Sequence, residues 1–329
     1  MRLCWKGWIA AMLLAAPVAG LAASCTTQAE LSPQDRNTLA TVGQGLAQAV
    51  VQQDLGTLRS MLLPAVSSDW NGIQNAVEDG AALVKGGDAQ LRSLYLLDSS
   101  SATAVSDTQF FCSNASGSLT VTITMHALPP GRYALVLADA AGAQLGGQIG
   151  IILAWDPTGP APSWKLGGLR VRQGIIDGHD GVWYWTSARA LAANQAQWSA
   201  WYSYELARYL LLPVDFLSSP NLDKLTQEQS QIKDSPANAF PYTVTGGDRS
   251  WKIDSIRLDT TLREADLGVT YESIGVTDPA AVRTEAIAVL SALLKARPEL
   301  RSSFHGLWAL SSQNGKVTPI IELPMAQIP

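Results

Sequence analysis

The pattern of apolar and polar positions along this 329-residue chain changes period near residue 88. Between residues 39 and 50 the apolar positions recur at intervals of three and four, which predicts an amphipathic helix. Two further helices are predicted over 55–63 and 70–84, the first ending before Pro64 because a residue that precedes proline avoids helical geometry. The chain therefore begins with a helical region.

From Asp88 onward the apolar positions alternate with a period of two, which predicts β-strands. The predicted strands cover 91–97, 108–113, 119–126, 132–138, 148–155 and 164–172. We expect them to form a curved antiparallel sheet whose apolar face packs on the preceding helices, so that 35–173 is a cone-like α+β domain.

This order, helices and then a long antiparallel sheet, resembles the nuclear transport factor two-like superfamily, to which ketosteroid isomerases belong. The resemblance is one of pattern and covers residues 35–172. It implies a cone of sheet around the helices with a pocket at its open end, and hence an alternative function as a small-molecule isomerase or hydrolase-like enzyme. Such an enzyme needs a polar group inside the cone, such as Tyr95, Asp98 or Tyr133.

An aromatic-rich stretch over 181–216 predicts two helices, and we treat 174–217 as a central helical hairpin. One interpretation is that its rings pack between two domains. The other is that some rings form an exposed contact for a ligand or a protein partner. The candidate contact residues are Trp183, Trp185, Trp198, Trp201, Tyr204 and Arg208.

A polar loop leads into this hairpin and places Asp177, His179 and Asp180 close together in sequence. A histidine beside a carboxylate is what general acid–base chemistry requires, so these residues form a weak candidate polar site. Asp180 is equally suited to cap the helix that follows.

The last part of the chain predicts a linker over 218–250, with one turn of helix over 222–229, and a small α+β domain over 251–329. That domain is expected to run strand, strand, helix, strand, strand. Asp278 and Pro279 are suited to open its helix, and Asn314-Gly315 indicates a tight hairpin.

No complete catalytic motif or cofactor fingerprint is present, so we expect neither a catalytic residue nor a cofactor. Histidines occur only at 126, 179 and 305, and their spacing does not predict a metal site. His126 falls on the polar face of its predicted strand, and His305 has no carboxylate or cysteine near it in sequence.

The N-terminus carries Arg2 and Lys6, then an uncharged apolar run over 7–21 and small residues, which is typical of a secretory signal peptide over 1–24. The residues Leu-Ala-Ala-Ser-Cys at 21–25 resemble the lipobox of bacterial lipoproteins. The resemblance implies that Cys25 receives acyl chains and anchors the protein to a membrane through a tether over 25–34. Alternatively, cleavage after Ala22 or Ala23 leaves Cys25 free to form a disulfide with Cys112.

The formal net charge is −5, and no cluster of lysines and arginines occurs, which excludes a nucleic-acid partner. The sequence therefore favours an exported, membrane-anchored lipoprotein of the bacterial cell envelope. We expect a non-catalytic module that binds an envelope protein or a small apolar or sugar ligand.

Overall fold

The computed structural model describes residues 23–158, 161–275 and 278–329. The predicted signal peptide lies outside the described residues except for its last two positions. The described parts combine helices with several mostly antiparallel sheets, which confirms the α+β class.

Helices and strands follow one another in the order that the two halves of the sequence predict. The helices are α1 (Pro33–Gln52), α2 (Leu55–Ser60), α3 (Trp70–Val84), α4 (Gly181–Ala193), α5 (Gln197–Leu211), α6 (Pro220–Ser230) and α7 (Pro279–Ala296). The strands of the first half are β1 (Ser24–Thr27), β2 (Asp88–Asp98), β3 (Ser106–Ser113), β4 (Leu119–Leu128), β5 (Arg132–Ala141), β6 (Gln148–Asp156) and β7 (Ser163–Arg172). The later strands are β8 (Ile175–Ile176), β9 (His179–Asp180), β10 (Leu217–Ser218), β11 (Tyr242–Gly246), β12 (Arg249–Asp259), β13 (Asp266–Glu272), β14 (Gly306–Gln313) and β15 (Lys316–Pro324).

The first half has three layers rather than one sheet on helices. Strand β2 pairs with β5, not with its neighbour β3, and the five-stranded order is β1-β2-β5-β6-β7. Helices α1 and α3 cover one face of this sheet, while β3, β4 and β10 form a three-stranded sheet over the other face. The single curved sheet expected from sequence is wrong because residues 134–138 of β5 are all buried, which requires cover on both faces.

The predicted tether over 25–34 begins instead with a strand of the main sheet. Strand β1 pairs with β2, with Cys25 opposite Leu97. Cys25 is also bonded to Cys112 of β3 across a Cα–Cα distance of 5.0 Å. This disulfide is the second of the two alternatives for Cys25, and a sulfur bonded in this way cannot also carry a lipid.

The second half is built on a mixed five-stranded sheet, the second sheet, in the order β11-β12-β13-β14-β15. Strands β13 and β14 are parallel and are connected through α7, which begins after the cap Asp278 as predicted. The β14–β15 turn contains Asn314 and Gly315, both with positive φ, as a tight hairpin requires. Helices α4 and α5 share one hydrophobic core with this sheet and α7, so the hairpin belongs to the second half.

The predicted linker over 218–250 contains a helix and a strand. Helix α6 starts at the cap Ser219, whose hydroxyl accepts a hydrogen bond from Leu222 N, and buries Leu222 and Leu225. Strand β11 forms the edge of the second sheet. The helix is longer than the single turn predicted over 222–229, and the strand was not predicted, because each element buries only a few side chains. Among the described residues, no helix is long and apolar enough to cross a membrane.

Candidate functional site

A cleft of about 540 Å³ lies between the five-stranded sheet, strand β4 and the junction of α5 with α6. It opens on the sheet face opposite α1 and α3. Its size falls within the range of roughly 300–1,000 Å³ that is usual for small-molecule sites. The cleft is the groove between the two halves of the molecule.

A β-bulge in strand β2 directs two successive polar side chains into this cleft. The pairing of β2 with β5 shifts register between Leu91 and Ser93, so Arg92 is the extra residue. Leu91 and Leu94 pack toward the helices, while Arg92 and Ser93 both line the cleft. The bulge therefore aims the guanidinium at the cleft floor.

The cleft floor is a connected polar network in which the charges balance. Arg92 Nη1 donates to Asp139 Oδ1 at 3.0 Å and to Gln148 Oε1 at 3.2 Å. The amide nitrogen of Gln148, a residue that is 5% exposed, donates in turn to Leu210 O of α5 at 2.6 Å. The network fixes the end of α5 to the sheet, and each of its buried groups has a partner.

Burial raises the pKa of Asp139, and the positive charge of Arg92 opposes that rise. About two fifths of each side chain in this pair is exposed, at 39% for Arg92 and 40% for Asp139. Solvent therefore screens the pair, and its contribution to stability is modest.

The cleft also has an apolar lining, which comes from five different elements. It is formed by Val121, Leu137, Leu210, Leu211, Leu217 and Leu222. A cleft lined by both a polar network and apolar side chains suits a molecule that has hydrogen-bonding groups and an apolar part.

The structure separates the six aromatic and basic residues that sequence suggested as one contact surface. Trp198 is fully buried, and Arg297 lies over its ring at 4.3 Å. Trp183 is 45% exposed at the start of α4, and Arg208 is exposed on α5 beside a smaller cavity of about 300 Å³. Trp201 is half-buried against the second core. Most of these residues are core residues.

The face of α5 that bears Tyr204 is covered rather than free. Tyr204 is 3% exposed, and its hydroxyl donates to Glu228 of α6 at 3.4 Å. Glu228 also accepts hydrogen bonds from Trp185 Nε1 at 2.7 Å and from Arg189 through two nitrogens at 2.8 Å. The interpretation of Tyr204 as an exposed contact for a ligand or a partner does not hold, because α6 covers this residue where sequence predicted a linker.

The three residues of the polar loop do not converge on one point. Asp180 caps α4 by accepting from Trp183 N at 2.8 Å. The His179 ring stacks on the Trp183 ring with centroids 3.6 Å apart. Asp177 turns away and accepts from Ala265 N at 3.2 Å. A base with an orienting carboxylate is therefore not assembled in this loop.

The three polar residues suggested for an isomerase-like pocket also lie apart. Tyr95 lines the cleft on the face away from the helices, and Tyr133 donates to Pro129 O at 2.8 Å. Asp98 accepts from Ser100 in the following turn. Between the helices and the sheet, the space is filled by apolar side chains such as Leu46, Val136 and Ile151.

The cleft residues Arg92, Asp139 and Gln148 escaped the sequence analysis. An arginine inside an otherwise alternating strand was the available signal, since a bulge is one reason for such a residue. His305, which has no carboxylate near it in sequence, has two in the fold, because Glu264 and Asp266 lie within 3.0 Å of its ring.

Comparison with known proteins identifies no relative: no family model, curated protein or solved structure matches this chain. The resemblance to the nuclear transport factor two-like superfamily stays a prediction.

Proposed function

We propose that this chain is an exported, non-catalytic binding protein of the bacterial cell envelope, whose cleft binds one small, uncharged, amphipathic molecule. The observation that carries the proposal is the cleft itself, a space of about 540 Å³ lined by both a polar network and apolar side chains. Because Arg92 and Asp139 neutralise each other, the floor favours neutral hydrogen-bonding groups over an anionic head.

Export is supported by two independent features. The first is the N-terminal pattern of Arg2, Lys6 and an apolar run. The second is the Cys25–Cys112 disulfide, because disulfides persist in oxidising compartments outside the cytosol. Between the two alternatives for Cys25, we propose the disulfide form.

Intact-mass analysis of the envelope-derived protein under non-reducing conditions tests this choice. We expect the mass of the cleaved chain less the hydrogens lost on oxidation. A mass increased by acyl chains that disappears in the Cys25→Ala variant would establish the lipoprotein instead.

Binding in the cleft is tested by native mass spectrometry of the protein purified without denaturation, and by titration with the neutral fluorophore Nile red. The Ser93→Trp variant places a large ring on the cleft floor, and we expect it to lose the copurifying ligand and to weaken Nile red binding. The matched control is Ser250→Trp, on an exposed strand position of the second sheet. Equal binding by wild type and Ser93→Trp would refute the proposal.

A further inference from the structure

The second sheet carries a group of carboxylates and one histidine at the end where β13 and β14 begin. Asp266 is the first residue of β13, and its register partner in β14 is Gly306, which His305 precedes. Glu264 lies two residues before Asp266, and Glu322 reaches the same end from β15. Segments 264–266, 305 and 322 are brought together only by the fold.

From this arrangement we infer that Glu264, Asp266 and His305 form a binding site for one divalent transition-metal ion, which Mn²⁺ probes. One ligand atom from each of the three residues lies within 4.8 Å of the other two. The inference does not depend on the cleft, to which none of these side chains contributes.

The distances between the potential ligand atoms match the first coordination sphere of such an ion. His305 Nδ1 is 2.9 Å from Glu264 Oε2 and 3.0 Å from Asp266 Oδ1. Adjacent ligands of a six-coordinate ion with bonds of about 2.1 Å are separated by about 3 Å. A mixed set of carboxylates and one imidazole suits a first-row ion such as Mn²⁺ or Zn²⁺.

A second observation, independent of the clustering, also points to a cation. Asp266 is only 1% exposed, and within the described residues its Oδ2 atom has no hydrogen-bond partner. Glu322 Oε1 is likewise buried without a partner in the described part of the chain. A buried carboxylate oxygen without a partner is costly unless a cation or a donor neutralises it.

Glu322 Oε1 and the Asp266 oxygen that contacts His305, Oδ1, both approach Gly306. A Cβ at this glycine would come 2.7 Å from Glu322 Oε1 and 3.0 Å from Asp266 Oδ1. Glycine is therefore required here, because it gives the two carboxylates room to approach each other.

The charges of this group do not balance. Three carboxylates, those of Glu264, Asp266 and Glu322, lie around Gly306 and the single His305 ring. Within the described residues, no lysine or arginine forms an ion pair with any of the three. A divalent cation would balance the excess of negative charge.

The site is held by backbone contacts and is open to solvent on one side. His305 N donates to Ala265 O at 2.8 Å, and His305 O accepts from Met325 N at 2.8 Å. Asp177 accepts from Ala265 N, which fixes the segment between two of the proposed ligands. The side chains of Glu264 and His305 are 41% and 33% exposed, so an ion can reach the site.

Isothermal titration calorimetry of Mn²⁺ into the EDTA-treated, disulfide-bonded protein tests the inference. We expect one Mn²⁺ per chain, with affinity weakened at least about tenfold in Asp266→Asn. The matched control is Asp234→Asn, which removes a largely exposed carboxylate that pairs with Arg297 at 2.8 Å. If Asp266→Asn does not fold, Glu264→Gln replaces it, because that side chain is more exposed.

Pulsed electron paramagnetic resonance of bound Mn²⁺ gives a second readout. Modulation from an imidazole nitrogen is expected in wild type and should vanish in His305→Gln. Absence of Mn²⁺ binding by wild type would overturn the inference. So would Mn²⁺ affinities of Asp266→Asn and Glu264→Gln that equal the wild-type affinity, or bound Mn²⁺ without a nitrogen ligand.

Discussion

Two polar groups at the ends of strands illustrate opposite solutions to the burial of charge. On the cleft floor, Arg92, Asp139 and Gln148 form a network in which donors and acceptors match. At the Asp266–His305 group, carboxylates outnumber the single cationic ring, and buried oxygens have no partner within the described chain. The first network is complete without a ligand ion, whereas the second is complete only with a cation.

The disulfide supports the cleft and not the Asp266–His305 group. Its removal should therefore affect the cleft and leave the Asp266–His305 group unchanged. The Cys25–Cys112 bond closes a loop of 87 residues and fixes the sheet of β3 and β4, which forms one side of the cleft. We expect Cys25→Ala to lower the free energy of unfolding by about 4 kcal/mol, measured by denaturant titration. Mn²⁺ affinity should be unchanged, and parallel losses at both sites would contradict the separation.

Added Mn²⁺ should stabilise the protein only by binding at the Asp266–His305 group. At a free concentration one hundred times Kd, a ligand that binds only the folded state raises the free energy of unfolding by about 2.7 kcal/mol. Thermal unfolding of wild type and Arg92→Met should show this gain, and Asp266→Asn should not. A gain in all three proteins would mean that the ion binds elsewhere.

Removing the positive charge of Arg92 should leave an unbalanced carboxylate on the cleft floor, as at the Asp266–His305 group. Arg92→Met leaves Asp139 without its ion-pair partner and should cost about 1 kcal/mol at neutral pH. Because the Arg92 charge opposes the rise that burial causes, the pKa of Asp139 should rise further in this variant.

The sign of the pH dependence follows from that shift. A carboxyl whose folded-state pKa is raised is most favourable when protonated, and this contribution is lost as pH rises through the folded-state pKa. The loss in free energy of unfolding of Arg92→Met, relative to wild type, should therefore shrink on acidification toward pH 4. A defect that is constant with pH would show that Asp139 does not respond to Arg92.

The smallest effect is expected at Glu228, a balanced group on α6 outside the cleft. The hydrogen bond from Arg189, opposed by burial and assisted by Trp185, lowers the pKa of Glu228. Its contribution is therefore present above the unfolded-state value of about 4.5 and lost as pH falls through the lower folded-state pKa. Glu228→Gln should cost about 0.5–1 kcal/mol at pH 7 and nothing at strongly acidic pH, measured by urea unfolding.

Local patterns predicted the elements well where one periodicity dominated. The alternation of β4 correctly placed Val121 and Ile123 inside and His126 outside, and Asp278 with Pro279 located the start of α7. Helix α6 was predicted only as one turn within a linker, because its polar surface conceals the few side chains that it buries. Strand order could not be predicted, since the pairing of β2 with β5 depends on long-range contacts.

The candidate sites were less predictable because each assembles distant residues. Arg92, Asp139 and Gln148 come from three strands, and the Asp266–His305 group spans nearly sixty positions of sequence. Asp177 was predicted to belong to a polar site with His179, but it accepts a hydrogen bond from Ala265 N instead. Local spacing does not encode such contacts.

A crystal structure of the native protein grown with Mn²⁺, with data collected for anomalous scattering, tests most directly whether the Asp266–His305 group binds a cation and the cleft floor does not. We expect one anomalous peak in contact with Glu264, Asp266 and His305, no such peak at Arg92 or Asp139, and any organic density in the cleft. A metal peak at Asp139, or no peak at Asp266 under conditions that saturate binding in solution, would contradict it.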